Sequence, residues 1–201
     1  MKLRAVKMEF TEHTITIFMI MNQRTIYNPI QKDYVTFLET TAESGGQRTR
    51  GLLEIAPGGK VLPHYHLTYA ETFVVQSGIL NVRVGEEELT LEKGESVTVA
   101  PGVLHAWYNL QPYTIAVEVI IEPGHAGFEQ GLQAAYGLAR DGHTRPDGTP
   151  KNLLHLVLLL DMADIRLPGM MGRFSWVFRL LARFAYWQSR DKDFEKYYLE
   201  F

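Results

Sequence analysis

Four side chains that can ligate metal fall in two short stretches of the chain. His64 and His66 are two residues apart, Glu71 follows five positions later, and His105 lies in a second stretch. Successive side chains of extended backbone point to opposite faces, so an H-x-H pair directs both imidazoles at one spot. Glu71 opens a run in which Phe73 and Val75 share its parity, so its carboxylate enters an otherwise apolar interior. Such a group is costly to bury unless it is paired, protonated or bound to a cation. His105 begins another β-rich run, with Trp107 and Asn109 on its face. Three imidazoles and one carboxylate suit one divalent first-row transition metal ion, and the set accepts Fe, Mn, Ni, Zn, Co or Cu. Four protein groups on a six-coordinate ion would leave two positions for water, substrate or dioxygen. Each piece alone is undiagnostic; the spacing of all four together carries the reading.

The elements that must position these groups change character near residue 125. Before it, runs at 36–38, 52–55, 71–76, 80–84, 88–91, 96–99, 105–109 and 114–121 are rich in β-formers. Gly and Pro turn signals separate them, among them Gly45-Gly46, Pro57-Gly58-Gly59, Ser77-Gly78, Lys93-Gly94 and Pro101-Gly102. Short strands at this spacing, with no helix between them, predict an antiparallel barrel or double-sheet jelly roll. After residue 125 the period becomes helical, predicting helices at 128–140, 152–163 and 173–190 around a polar loop at 141–151. In the last of these, Arg179, Arg183 and Arg190 share one side and Val177, Leu180, Leu181 and Phe184 spread over the other. The expectation is a helix packed on the outside of the barrel with a solvated Arg face; a membrane-surface or partner helix is the sharper alternative. The chain is thus divided into an N-terminal segment at 1–24, a β-barrel at 25–125 and a helical extension at 126–201.

Composition bounds what remains. The 201 residues carry 20 Lys+Arg against 23 Asp+Glu, a formal charge of -3, which argues against a nucleic-acid binder with its usual basic excess. With 46% hydrophobic and 21% charged residues the chain has the mixture of a globular protein. There is no cysteine, so disulfides, thiolate-bound metals and thiol nucleophiles are excluded. No run approaches the ~20 apolar residues of a membrane span. The apolar patch at 15–21 is preceded by Glu9, Glu12 and His13 and lacks a small-residue cleavage site, so no export signal is read and a cytoplasmic location is expected. Met19 and Met21 are read as candidates for the translation start.

The spacing Gly58-x5-His64-x-His66-x4-Glu71-x6-Gly78, followed by Gly94-x7-Gly102-x2-His105-x3-Asn109, resembles the two motifs of the cupin superfamily. The second motif departs only at its first proline, where Ala100 stands beside Pro101, a turn position rather than a ligand. The resemblance implies a jelly-roll barrel of mainly β class; the C-terminal α-helices, read from periodicity, lie beyond the family pattern and are expected packed on its outside. It also implies His64, His66, Glu71 and His105 as metal ligands, Gly78 as a tight turn, Asn109 as a structural residue, and a homodimer paired through sheet edges.

Strand parity names a pocket wall of Phe73, Val75, Trp107 and Asn109 for a small-molecule ligand. Trp107 either stacks on a ligand ring or fills the core. Glu118 is either a pocket group or outward-facing, and Tyr69, between the ligands, either gates the mouth or faces water. His143 and His155 lack partners at ligand spacing and are expected on the surface or in helix packing. The expected function is a metal-dependent oxygenase, with Glu71 as ligand or catalytic base. Isomerase or lyase chemistry, a non-catalytic binding module and a purely structural ion are the alternatives.

Overall fold

The computed structural model describes residues 24–169 and 175–199. The apolar patch at 15–21, with Met19 and Met21, lies outside the described residues.

Among the described residues nine strands are formed: β1 Thr25–Asn28, β2 Asp33–Glu39, β3 Thr49–Ile55, β4 Ala70–Ser77, β5 Ile79–Val84, β6 Glu87–Glu92, β7 Ser96–Val99, β8 His105–Tyr108 and β9 Ile115–Glu122. All pairings between them are antiparallel. The larger sheet runs β1-β2-β3-β9-β4-β7 and the smaller β6-β5-β8. Their inner residues, including Leu53, Ile55, Phe73, Val75, Leu80, Val82, Trp107, Ile115 and Val117, form one core. Alternate side chains of β4 and β9 therefore point into this core, as period-2 patterning requires. Between β4 and β5 the chain reverses at Gly78, whose φ is +82°. A Cβ there would come within 2.5 Å of Ile115 Cγ2, so both the backbone angle and the packing demand glycine.

The eight expected strands are all present, and β1 is an addition. Its four residues, Thr-Ile-Tyr-Asn, have no alternation of their own. They become a strand by pairing with β2 at the sheet's edge, where Thr25 Oγ1 lies 2.8 Å from Thr36 Oγ1.

The C-terminal elements are α1 Ala126–Arg140, α2 Leu153–Met162, α3 Ser175–Trp187 and a 3₁₀ helix, Arg190–Tyr197. Helix α1 begins two residues before the expected 128 because His125 caps it, its Nδ1 accepting from the Phe128 amide at 2.9 Å. The expected helix at 173–190 ends instead at Trp187, since Ser189 adopts a left-handed φ of +54° and the chain continues as 3₁₀. These helices pack outside the barrel and build a second core from Ala134, Leu138, Leu158, Leu159, Ala185, Phe194 and Tyr197. Helix α1 joins the two cores, because Tyr136 on the same helix belongs to the barrel's core.

Candidate metal centre

The site lies where three backbone segments meet between the two sheets. Glu71 enters from β4 of the larger sheet and His105 from the first position of β8 in the smaller. His64 and His66 come from an extended segment that runs beside β8. There the His64 amide donates to the His105 carbonyl at 3.0 Å, and the His105 amide to the His64 carbonyl at 2.8 Å. One ligating atom from each of His64, His66, Glu71 and His105 lies within 4.8 Å of the others. The alternation expected of the H-x-H pair holds on this bridged segment, with the two rings 4.8 Å apart and nearly perpendicular.

Each imidazole is fixed by its Nδ1. His64 Nδ1 is 2.8 Å from the Leu62 carbonyl, His105 Nδ1 is 3.0 Å from the Val103 carbonyl, and His66 Nδ1 is 2.6 Å from the Tyr69 hydroxyl. Carbonyl oxygens only accept, so His64 and His105 donate from Nδ1. The Tyr69 hydroxyl spends its own proton on the Ala163 carbonyl at 2.8 Å, so His66 also donates from Nδ1. All three histidines therefore present Nε2 to the shared space. His105 Nε2 lies 2.9 Å from Glu71 Oε2 and His66 Nε2 lies 3.7 Å from it. His66 is buried, and among the described residues its Nε2 has no hydrogen-bond partner. A buried nitrogen lone pair without a donor is a costly defect in a protein alone, and it fits a cation. The donor set and this orphaned atom together suit a divalent transition metal.

The charges follow the same geometry. Burial holds His64 well below the usual imidazole range, to about 3, and the neighbouring His105 and His66 add to the depression. Burial also lowers His66. For Glu71, burial pushes upward, but the hydrogen bond from His105 and the surrounding imidazoles outweigh it, and the carboxyl sits below its ordinary value. For His105, burial pushes downward, and the bond to Glu71 and its charge outweigh that, raising it. The cluster thus holds an ionised carboxylate, two neutral imidazoles and one imidazole that competes for a proton.

The expected pocket residues fare differently. Phe73, Val75 and Trp107 are buried in the barrel core, so Trp107 fills the core rather than offering a stacking surface. Of these, Phe73 is the one beside the cluster, its ring 6.3 Å from that of His105. Asn109 is not a pocket group: its Nδ2 donates to the Ile55 and Tyr113 carbonyls and its Oδ1 accepts from the Gln111 amide. Those bonds use both amide protons of a fully buried side chain and tie neighbouring segments together. Glu118 is also misplaced as a pocket residue. It lies on the outer face of β9, ion-paired with Arg50 at 2.6 Å and accepting from Gln76. Its parity is opposite to that of the buried Val117 and Val75, because β9 pairs in register with β4. Tyr69 neither gates the mouth nor faces water; it is 1% exposed and stacks on the His66 ring at 4.4 Å. His143 is exposed, and His155 pairs with Asp193 and packs on Phe194, both away from the cluster.

Sequence reasoning missed the support behind the 64–69 segment. Asp164 Oδ2 accepts from the amides of Leu67 and Thr68 and from Thr68 Oγ1, at 2.7 to 2.8 Å. Its Oδ1 pairs with Arg166 at 3.0 Å, and the Tyr65 and Arg166 backbones exchange two hydrogen bonds. These groups lie just past α2, more than ninety residues away in sequence, and no local signal marks them.

Solved structures similar to this chain include an RmlC-like cupin from Shewanella frigidimarina, at 19% identity and a TM-score of 0.46, covering 53% of this chain and 90% of that one. KdgF from Halomonas sp. is similar at 16% identity and a TM-score of 0.42, covering 47% and 82%. A sugar phosphate isomerase of the cupin superfamily from Silicibacter pomeroyi is similar at 22% identity and a TM-score of 0.42, covering 46% and 60%. No curated protein matches the sequence. Residues 51–126 match the family described as Cupin domain, a stretch that contains all four clustered side chains, Gly78 and Asn109. This stretch, residues 51–126, is a cupin domain.

Proposed function

We propose that His64, His66, Glu71 and His105 bind one divalent transition metal ion and that the protein uses it to act on a small organic molecule, as an oxygenase. The observation that supports this best is the buried, unpartnered Nε2 of His66, beside two further Nε2 atoms and a carboxylate. When bound, the ion would supply Lewis acidity or one-electron chemistry toward dioxygen. The chain's own part is to hold three imidazoles in one tautomer and to keep Glu71 ionised. Glu71 Oε2 then serves as a ligand or receives a proton from the substrate. Substrate approaches from the side of His64, the least buried of the four. Beside it in sequence, Leu62 and Leu67 are both more than half exposed.

A second reading, a cupin that captures a small ligand without turnover, is favoured by one observation. Phe73, Val75 and Trp107 are consumed by the core, which leaves little apolar wall for a substrate. In either reading we take 25–125 as the barrel unit, 126–201 as its extension, a homodimer paired through a sheet edge as the assembly, and the cytoplasm as the location.

Elemental analysis of the purified protein tests the metal assignment. One equivalent of a transition metal is expected in the wild type. His64→Ala and His105→Ala should lose it while keeping the β-sheet circular dichroism signal, and Arg183→Ala should retain it. Full metal in His64→Ala would overturn the ligand set. Oxygen consumption by the iron- or manganese-loaded protein on catechols and enediols separates the two readings, since a capture protein would bind without uptake.

A further inference from the structure

Helix α3 is built the wrong way round for a helix that merely covers a core. Its inward side is Ala182 and Ala185, 1% and 0% exposed. Four large apolar side chains face out, Trp176 57% exposed, Leu180 54%, Phe184 45% and Trp187 77%, while Phe178 is half-buried on the alanine side. At ~100° per residue these four fall within an arc of roughly 80°, opposite the alanines. A surface helix normally shows the reverse, apolar toward the core and polar outward. Single exposed hydrophobes are ordinary, but a contiguous stripe of two tryptophans, a phenylalanine and a leucine marks an interaction surface.

The charge flanking one edge of the stripe identifies the partner. Arg179 and Arg183 are exposed along the stripe, and among the described residues neither is ion-paired. The helix sequence SWVFRLLARFAYW contains no acidic residue. A second copy of the chain is a poor occupant, because stacking α3 on α3 sets arginines against arginines with no carboxylate in the helix to pair them. An anionic bilayer surface is a good one. Tryptophan and phenylalanine favour the headgroup boundary, and arginine meets the lipid phosphates. Thirteen residues span about 20 Å, short of a hydrocarbon core of about 30 Å. No helix among the described residues is long and apolar enough to cross a membrane. The helix therefore lies on the surface.

We infer that α3 docks this protein onto membranes containing anionic phospholipid, with Trp176, Leu180, Phe184 and Trp187 entering the headgroup boundary and Arg179 and Arg183 contacting phosphate. The inference stands apart from the metal site and does not depend on what that site does.

Vesicle co-sedimentation of the full chain tests it, using phosphatidylcholine alone and an equal mixture of phosphatidylcholine and phosphatidylglycerol. The protein should sediment with the mixed vesicles, and raising the salt should release it. Because Trp107 is buried, the blue shift of tryptophan emission on binding should come from Trp176 and Trp187. Arg179→Gln with Arg183→Gln should weaken partitioning about twenty-five-fold, at about a factor of five per arginine near a charged surface. Trp176→Gln with Trp187→Gln should abolish it. Both double variants alter exposed side chains and should keep the wild-type circular dichroism spectrum and metal content. Absence of sedimentation with either vesicle, or equal partitioning of the arginine variant, would overturn the inference. So would a wild-type dimer in analytical ultracentrifugation that the tryptophan variant dissolves without any vesicle binding, which would assign the stripe to contact between copies.

Discussion

The chemistry of the centre rests on how three imidazole protons are disposed of. His64 and His105 give theirs to main-chain carbonyls of their own segments, two residues back. His66 gives its proton to a side chain, Tyr69, which hands its own on to the Ala163 carbonyl. Outer partners of this kind fix the ring orientation and the tautomer of a ligating histidine. Tyr69→Phe keeps the ring that stacks on His66 and removes only the hydroxyl. Under the proposed ligand set it should weaken metal affinity about ten- to a hundredfold, measured by competition with a chromophoric chelator. In the metal-free protein, long-range ¹H–¹⁵N spectra should show His66 as the Nδ1–H tautomer in the wild type and as a mixture in Tyr69→Phe. An unchanged tautomer would leave Tyr69 a packing residue only.

At the scale of elements, α1 joins the two cores, and each of its faces has a different task. Gly137 lies against the Tyr197 ring, and a Cβ there would come within 2.2 Å of it. Gly137→Ala gains helix propensity of about 1 kcal/mol yet must push the ring away. The expected outcome is a net destabilisation of about 1–3 kcal/mol by urea unfolding. On the other face, the Tyr136 hydroxyl donates to Asp33 Oδ2 at 2.6 Å, and Asp33 Oδ1 is buried with no partner among the described residues. Burial raises the Asp33 carboxyl to about 7, against smaller lowering by the Tyr136 bond and its own backbone. The folded protein therefore keeps a proton that the unfolded chain releases near the ordinary carboxylate range. The stability from this group is full below that range and is lost as pH rises to about 7. Asp33→Asn should remove this slope. The variant should gain on the wild type between about pH 4 and 7, by up to about 1.4 kcal/mol per pH unit, in denaturant titrations across that window.

Across the whole molecule, the helical extension is part of the construction of the site. Asp164 follows α2 at a positive φ of +51° and is 5% exposed, yet it bonds both amides of the 67–68 turn and Arg166. Ala163 beside it receives the Tyr69 proton. Asp164→Ala should therefore act on two properties at once. Three donors on the 67–68 turn lose their acceptor, at a cost of about 3 kcal/mol. The Leu67 and Thr68 amides should exchange with deuterium faster than in the wild type, and metal affinity should fall although Asp164 lies outside the cluster. A loss of stability with unchanged affinity would separate the extension from the site.

How much of this was legible in the chain depends on the range of the interaction. The four clustered side chains were readable through the joint spacing that resembles the two cupin motifs, and the Gly78 turn and eight of the nine strands found among the described residues through local rules: alternation along a strand, and glycine where φ is positive. The helical period after residue 125 was readable for the same reason, to within a turn at its ends. Roles set by partners distant in sequence were not readable. Asn109 and Glu118 fell on the wrong side of the pocket assignment because register across β9 and the bonds of the loop ends decide where they point. β1 exists only through pairing with β2, and Tyr69 and Asp164 acquire their tasks from contacts across more than ninety residues. The outward turn of Trp176 and Trp187 was likewise hidden. Periodicity shows that a helix has two faces, but only packing against α2 and the 3₁₀ helix decides which face is left to the outside.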